Sequence, residues 1–143
     1  FVLMITNGVD PYNGSTNITN QSSPYVDAAI KDAQRAGVPV YSIYYANAGY
    51  GSQRSSSFSG QSYLAQLAQS TGGVAYYQGL GNPVSMDPFL KKFGSAIAES
   101  YVATFSAPGN KDFVRLQVKT TLPRTSLHAP DQVRPGTSLS ATE

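Results

Sequence analysis

Cysteine and tryptophan are both absent from the 143 residues, and a single histidine is present. Without cysteine there are no disulfides and no thiolate metal sites, although that alone does not fix a compartment. One histidine leaves zinc centres and Ser-His-Asp chemistry short of the groups they normally need. Charge is scarce as well: 13% of residues are charged, against a usual share of about 25%. With a net charge of +2 and no run of Lys or Arg, the chain carries no electrostatic footprint for nucleic acid or an anionic membrane. No apolar stretch approaches the length of a membrane span. Gly-Lys-Ser/Thr is missing, and Gly79-Leu80-Gly81 lacks the third glycine of a dinucleotide loop. There is no internal repeat.

What remains is a domain-sized chain, 41% hydrophobic, whose polarity comes from Ser, Thr, Asn, Gln, Gly and Tyr. Phe1-Val2-Leu3-Met4-Ile5 followed by Thr6-Asn7-Gly8 predicts a strand buried on both faces and ending in a sharp turn. A continuous apolar run of this kind suits a parallel α/β sheet, where ligands sit beyond the carboxyl ends of the strands. A polar loop runs from Val9 to Ser23. Ser23-Pro24 then reads as a helix cap with proline at the first position, with Val26, Ala29, Ile30 and Ala33 inward and Gly37 as the stop. Val38 to Tyr45 is a second strand, making a parallel βαβ crossover. After a second polar loop, Ala46 to Gly60, Ser59 or Ser62 is expected to cap a helix ending at Gly72-Gly73. Val74 to Tyr77 is a short third strand. Asp87-Pro88 repeats the cap signature before a helix burying Phe89, Leu90, Phe93 and Ile97.

Beyond position 100 the pattern changes. Tyr101 to Ala107 and Phe113 to Thr121 read as two extended segments joined by Pro108-Gly109-Asn110, and Ser126 to Ala129 as a further short strand. The expected organisation is an α/β unit with a Rossmann-like parallel sheet and flanking helices over 1–100. A β-hairpin extension packed on it follows over 101–134, and 135–143 form a frayed tail.

Both polar loops leave the same edge of the expected sheet. Tyr mixed with Ser, Gly and Asn is the composition of adaptable contact surfaces, in which Tyr supplies rigid amphipathic area. Asn7, Asp10, Tyr12, Tyr50 and Arg54 are therefore the candidate partner-binding residues. His128 lies far from them in sequence and reads as a solvent-facing strand residue.

The order of these pieces resembles the C-terminal half of a von Willebrand factor type A domain. Phe1–Gly8 looks like that family's fourth strand, which ends in Thr-Asp-Gly. Ala36-Gly37-Val38-Pro39-Val40-Tyr41-Ser42-Ile43 is similar to its helix-to-strand passage, and Leu64, Leu67, Ala68 and Thr71-Gly72-Gly73 to its L-x-x-i-A-x-x-T-G-G segment. From Tyr101 onward the chain is similar to the β extension of the acidobacterial VWFA-related proteins. The resemblance covers roughly residues 1–130, and it implies a secreted adhesion-type module. The family's metal site joins a D-x-S-x-S loop, a Thr from a later loop and the Asp of Thr-Asp-Gly around Mg²⁺. The first two would lie upstream of Phe1, and Asn7 stands where the third, a carboxylate, is expected. No cofactor is expected on this chain, with Mg²⁺ entering only if an upstream half supplies the other ligands.

No acid, base and nucleophile converge in the sequence, so the first expectation is a non-enzymatic module that binds a protein partner, with neither nucleic acid nor membrane insertion. A Rossmann-like hydrolase or transferase, and a scaffold assembling through its sheet edges, are the alternatives. The bare apolar strand at Phe1–Ile5 predicts either a longer protein or self-association along that edge.

Overall fold

The computed structural model describes residues 1–10, 23–48, 54–79, 81–106 and 112–136, with only the backbone given for 54–57. The chain runs β1 (Val2–Thr6), α1 (Pro24–Ala36), β2 (Val40–Tyr44), α2 (Arg54–Thr71), β3 (Ala75–Tyr76), α3 (Asp87–Ala98), β4 (Val114–Arg115) and β5 (Gln132–Val133). β1, β2 and β3 form a parallel sheet in that order, with Val2 opposite Val40 and Ser42 opposite Ala75. The protein is thus α/β, with helices flanking a three-strand parallel sheet and a separate antiparallel pair made by β4 and β5.

The strand period of two divides β2 between two layers. Tyr41 and Ile43 point into a core with Tyr76 and Phe89, joined by Leu3, Val74, Met86, Phe93, Ala96 and Ile97. Val40, Ser42 and Tyr44 turn to the other face, where α2 packs on β2 and α1 packs on α2. Every residue of β2 is buried, as its place between β1 and β3 requires. Burial pushes the phenols of Tyr41 and Tyr76 up from their ordinary pKa, and for Tyr76 the neighbouring Tyr41 adds to the effect.

Helix α1 starts and stops where its residues say. Ser23 is extended and its oxygen accepts from Val26 N at 3.5 Å, Pro24 is at the first position, and Gly37 takes φ 65°. Gly37 N and Val38 N then bond Gln34 O at 3.2 Å and Ala33 O at 2.9 Å, closing the helix end. Its inward face is shifted from the expected one: Ala29 is exposed and Gln34 is buried. Gln34 Nε2 reaches Ser70 O at 2.7 Å, so the amide is buried with its donor satisfied.

Five further expectations need correction. β1 lies at the sheet edge, with Phe1 66% and Ile5 50% exposed, because among the described residues no strand covers its outer side. α2 begins at Arg54, before Ser59 or Ser62; the serines and Gly60 resemble a loop, but Gly60 is needed inside the helix for a close backbone approach described below. α3 is capped by Met86 rather than Asp87, and the extra bond there is Asp87 N to Ser85 Oγ at 3.2 Å. Leu90 of that helix is exposed. Last, β4 pairs with β5, Val114 opposite Val133, whereas 101–106 and 126–129 form no strand; the joining residues 108–110 lie outside the described residues.

This β4–β5 pair rests at the C-terminal ends of α1 and α2. Asp131 N donates to Ser70 O at 3.1 Å, and Leu116 N to Asp131 O at 2.8 Å. Arg35 lies 5.6 Å from the centre of the Phe113 ring and 4.0 Å from Asp112, which Arg134 also approaches at 3.9 Å.

Candidate functional site

The carboxyl ends of β1 and β2 are joined by a small network in which nearly every member is main chain. Gly8 adopts φ 67°, a conformation that glycine takes at no steric cost, and it turns the chain sharply after Thr6. Gly8 N donates to Thr6 Oγ1 at 3.2 Å, and Val9 N to Asn7 Oδ1 at 3.1 Å. These are the side-chain turns that Thr and Asn favour. Asn7 N reaches across to Ala48 O at 2.8 Å, and Tyr45 N to Thr6 O at 3.0 Å. The two strand ends are therefore held to each other after regular pairing stops.

Helix α2 is seated against the same turn. A Cβ on Gly60 would lie 2.1 Å from Asn7 O, and one on Gly8 would lie 2.3 Å from Gly60 O. Two glycines are needed where these backbones cross. Beside them, Ser23 Oγ donates to Asp10 Oδ2 at 2.5 Å while capping α1. The described residues on either side of positions 11–22 are thus tied to each other.

The candidate residues fall into distinct positions. Asn7 is 3% exposed, and its carbonyl oxygen is engaged by Val9; its side chain supports the turn from beneath. Asp10 is half-buried at the loop stem. Arg54 is the first residue of α2 and not part of the preceding loop. Tyr12 and Tyr50 lie outside the described residues. Tyr63 is buried against the sheet, while His128 is exposed in an irregular stretch and not in a strand.

Two aromatic side chains that loop composition did not single out stand at this same end. Tyr25, in the first turn of α1, is 57% exposed, and Phe58, in the second turn of α2, is 58% exposed. Both helices start at the carboxyl edge of a parallel sheet, which brings their first turns to the loop face. The signal was available in the sequence: Tyr25 falls off the inward spacing of its helix, and Phe58 is an aromatic residue within the stretch 46–60 read as a polar loop.

The donor set does not fit a divalent cation. Asn7 supplies a neutral oxygen already bonded to Val9 N, and Asp10 accepts from Ser23. Among the described residues no three His, Cys, Asp or Glu side chains group closely enough to hold a metal. Elsewhere, an open depression of about 420 Å³ runs along α2, lined by Ser62, Ala65, Gln66, Gln69, Ser70 and Asp131. It brings one carboxylate to two amides and two hydroxyls.

Comparison with protein-family models, curated proteins and solved structures gives no match for this chain.

Proposed function

We propose that this chain is a non-enzymatic protein-interaction module that binds a protein partner through the loops at the carboxyl ends of its parallel strands. The observation that carries this reading is the pinned pair of strand-end turns, flanked by the exposed rings of Tyr25 and Phe58. A rigid stem beneath a Tyr-, Ser- and Asn-rich loop lowers the ordering cost of binding. On this reading Tyr12, Tyr50 and Arg54 belong to the contact surface with Tyr25 and Phe58, and Asn7 and Asp10 hold its base. The sequence motifs align the module with the von Willebrand type A family, in its secreted bacterial branch. This reading needs no metal on these residues, with Mg²⁺ entering only if an upstream half supplies the other ligands.

The test is an array of purified extracellular proteins probed with the chain and with a Tyr25→Ala/Phe58→Ala variant. Both side chains are exposed, so the variant is expected to melt like the parent. A saturable partner should lose affinity by about tenfold or more, as for aromatic residues at the centre of an interface. Unchanged affinity in that variant, and in Tyr12→Ala and Tyr50→Ala, would remove the loop face as the binding site.

A further inference from the structure

We propose that Asn7-Gly8 is a deamidation site gated by the fold: it reacts only when α2 lifts from the turn after β1, and its isoaspartyl product cannot return to that seat. The chemistry needs the chain and water alone. Gly8 N, having lost its proton, attacks Asn7 Cγ; a new C–N bond forms, the Cγ–Nδ2 bond breaks, and Nδ2 leaves as ammonia. The five-membered succinimide then takes up water at one of its two carbonyls. The outcome is aspartate at position 7, or isoaspartate joined to Gly8 through the former side-chain carbon. Asparagine is a thermolabile residue, and glycine, lacking a Cβ, leaves the attacking nitrogen unscreened.

The fold opposes each part of that step. Gly8 N donates to Thr6 Oγ1 at 3.2 Å, so the proton that must leave first is held. Asn7 Oδ1 accepts from Val9 N at 3.1 Å, and Asn7 N donates to Ala48 O at 2.8 Å, which fixes both the side-chain carbonyl and the main chain before it. Asn7 is buried, out of the reach of hydroxide. Ring closure also requires the Asn7 side chain and the Gly8 peptide to rotate against each other. Helix α2 leaves no room for this: a Cβ on Gly8 would stand 2.3 Å from Gly60 O and 2.8 Å from Leu64 Cγ, and one on Gly60 would stand 2.1 Å from Asn7 O.

The two products ask different things of this seat. Aspartate keeps the main chain as it was and still offers an oxygen to Val9 N. Isoaspartate diverts the main chain through the former side chain and adds one carbon between positions 7 and 8. That extra atom enters a crossing where a methyl group does not fit, and it displaces Gly8 from its place against Gly60. An overpacked core site forces the backbone to shift, and here the backbone on both sides is already bonded, through Thr6 O to Tyr45 N and through Asn7 N to Ala48 O. The folded chain therefore protects the dipeptide, while a chain that has opened and formed isoaspartate is kept out of the fold.

The test ages the chain in mildly alkaline buffer, folded and in urea, and follows positions 7 and 13 by mass spectrometry of the amino-terminal peptide. Asn13-Gly14 is the same dipeptide; it lies outside the described residues and serves, in urea, as the standard for the intrinsic rate. In urea the two sites are expected to convert alike. In the folded chain, position 7 is expected to convert more slowly than in urea by on the order of a hundredfold or more, since core segments open rarely. Thr6→Val keeps the side chain's shape and removes the acceptor of Gly8 N–H. It should quicken conversion at position 7 several-fold in the folded chain and leave the rate in urea unchanged. When the urea-aged chain is returned to buffer, isoaspartate at position 7 should be confined to the fraction that fails to regain the native elution volume, while aspartate appears in the folded fraction. Equal rates at position 7 in buffer and in urea would overturn the proposal, as would a folded Thr6→Val chain that converts no faster than the parent. Isoaspartate recovered in the folded fraction at its share of the whole would overturn the one-way step.

Discussion

The hydroxyl of Ser23 donates to Asp10 Oδ2 at 2.5 Å while its oxygen accepts from Val26 N at 3.5 Å. One buried side chain thus starts α1 and ties down the loop stem that leaves β1. Ser23→Ala removes both bonds and is expected to cost about 1–2 kcal/mol, the range for losing a helix cap. Asp10→Asn keeps an acceptor and should cost less. Urea unfolding of the two variants checks the ranking; a Ser23→Ala chain as stable as the parent would remove the tie.

Two glycines in helices are expected to respond in opposite ways. At Gly60 a methyl group would stand 2.1 Å from Asn7 O, a backbone atom with little room to retreat. Gly60→Ala should destabilise the chain by several kcal/mol, on the order of the overpacking penalty of 1–3 or more, or prevent folding. Gly94 in α3 has nothing within 4 Å of the same position. Gly94→Ala should raise stability by about 0.5–1 kcal/mol through helix propensity. Thermal melts of the pair decide the matter, and a tolerated Gly60→Ala would mean that the crossing is looser than described.

Ser42 Oγ and Tyr44 OH are buried, and among the described residues neither has a hydrogen-bond partner. An unsatisfied buried polar group costs about 1–3 kcal/mol. Removing the hydroxyl by Tyr44→Phe is therefore expected to leave stability unchanged or raise it, as is Ser42→Ala in smaller measure. A loss above roughly 1 kcal/mol in Tyr44→Phe would show that the hydroxyl has a partner in solution.

Burial raises the pKa of Tyr41 and Tyr76 above the ordinary 10.0. A raised pKa means that the folded chain holds its phenolic protons more tightly than the unfolded chain does. The associated stability is complete below pH 10.0 and is lost as pH rises through the folded values. Chemical unfolding should give a flat profile up to that point and a falling one above it. Tyr41→Phe should flatten the fall, and an unchanged alkaline slope in that variant would assign the loss to other groups.

Ser70 O accepts from both Gln34 Nε2 at 2.7 Å and Asp131 N at 3.1 Å. Gln34→Ala is expected to cost about 1–2 kcal/mol, the loss of a bond at a buried site. Amide exchange should quicken at Asp131, Gln132 and Val133, and the β1–β2 ladder should be spared. Faster exchange in β1 instead would show that the amide braces the sheet and not the β4–β5 pair.

The elements with the clearest local chemistry were legible in the sequence. Ser23-Pro24 and Gly37 bound α1 where the structure bounds it, and the second strand expected over Val38 to Tyr45 is found at Val40 to Tyr44, although the burial on both faces expected of Phe1–Ile5 falls to it instead. Contact between distant segments was less legible. Gly60 reads locally as a breaker, and only the proximity of Asn7 O explains a glycine there. Phe113 to Thr121 read as an extended segment, of which Val114–Arg115 is a strand, but pairing partners in antiparallel β are set by long-range packing, and Gln132–Val133 took the place given to 101–107. Loop composition pointed to one end of the sheet; Tyr25, on a helix, lay outside that search, and Phe58 lay inside the expected loop but was not among the residues chosen. The burial of Asn7 could not be read from Thr6-Asn7-Gly8, since it depends on α2 lying over the turn.

Among the described residues, the two loop stems are held by a bond between main-chain atoms at Asn7 and Ala48, the crossing of Gly8 and Gly60, and the Asp10–Ser23 pair. The ends of β1 and β2, the cap of α1 and the second turn of α2 therefore meet in one clasp.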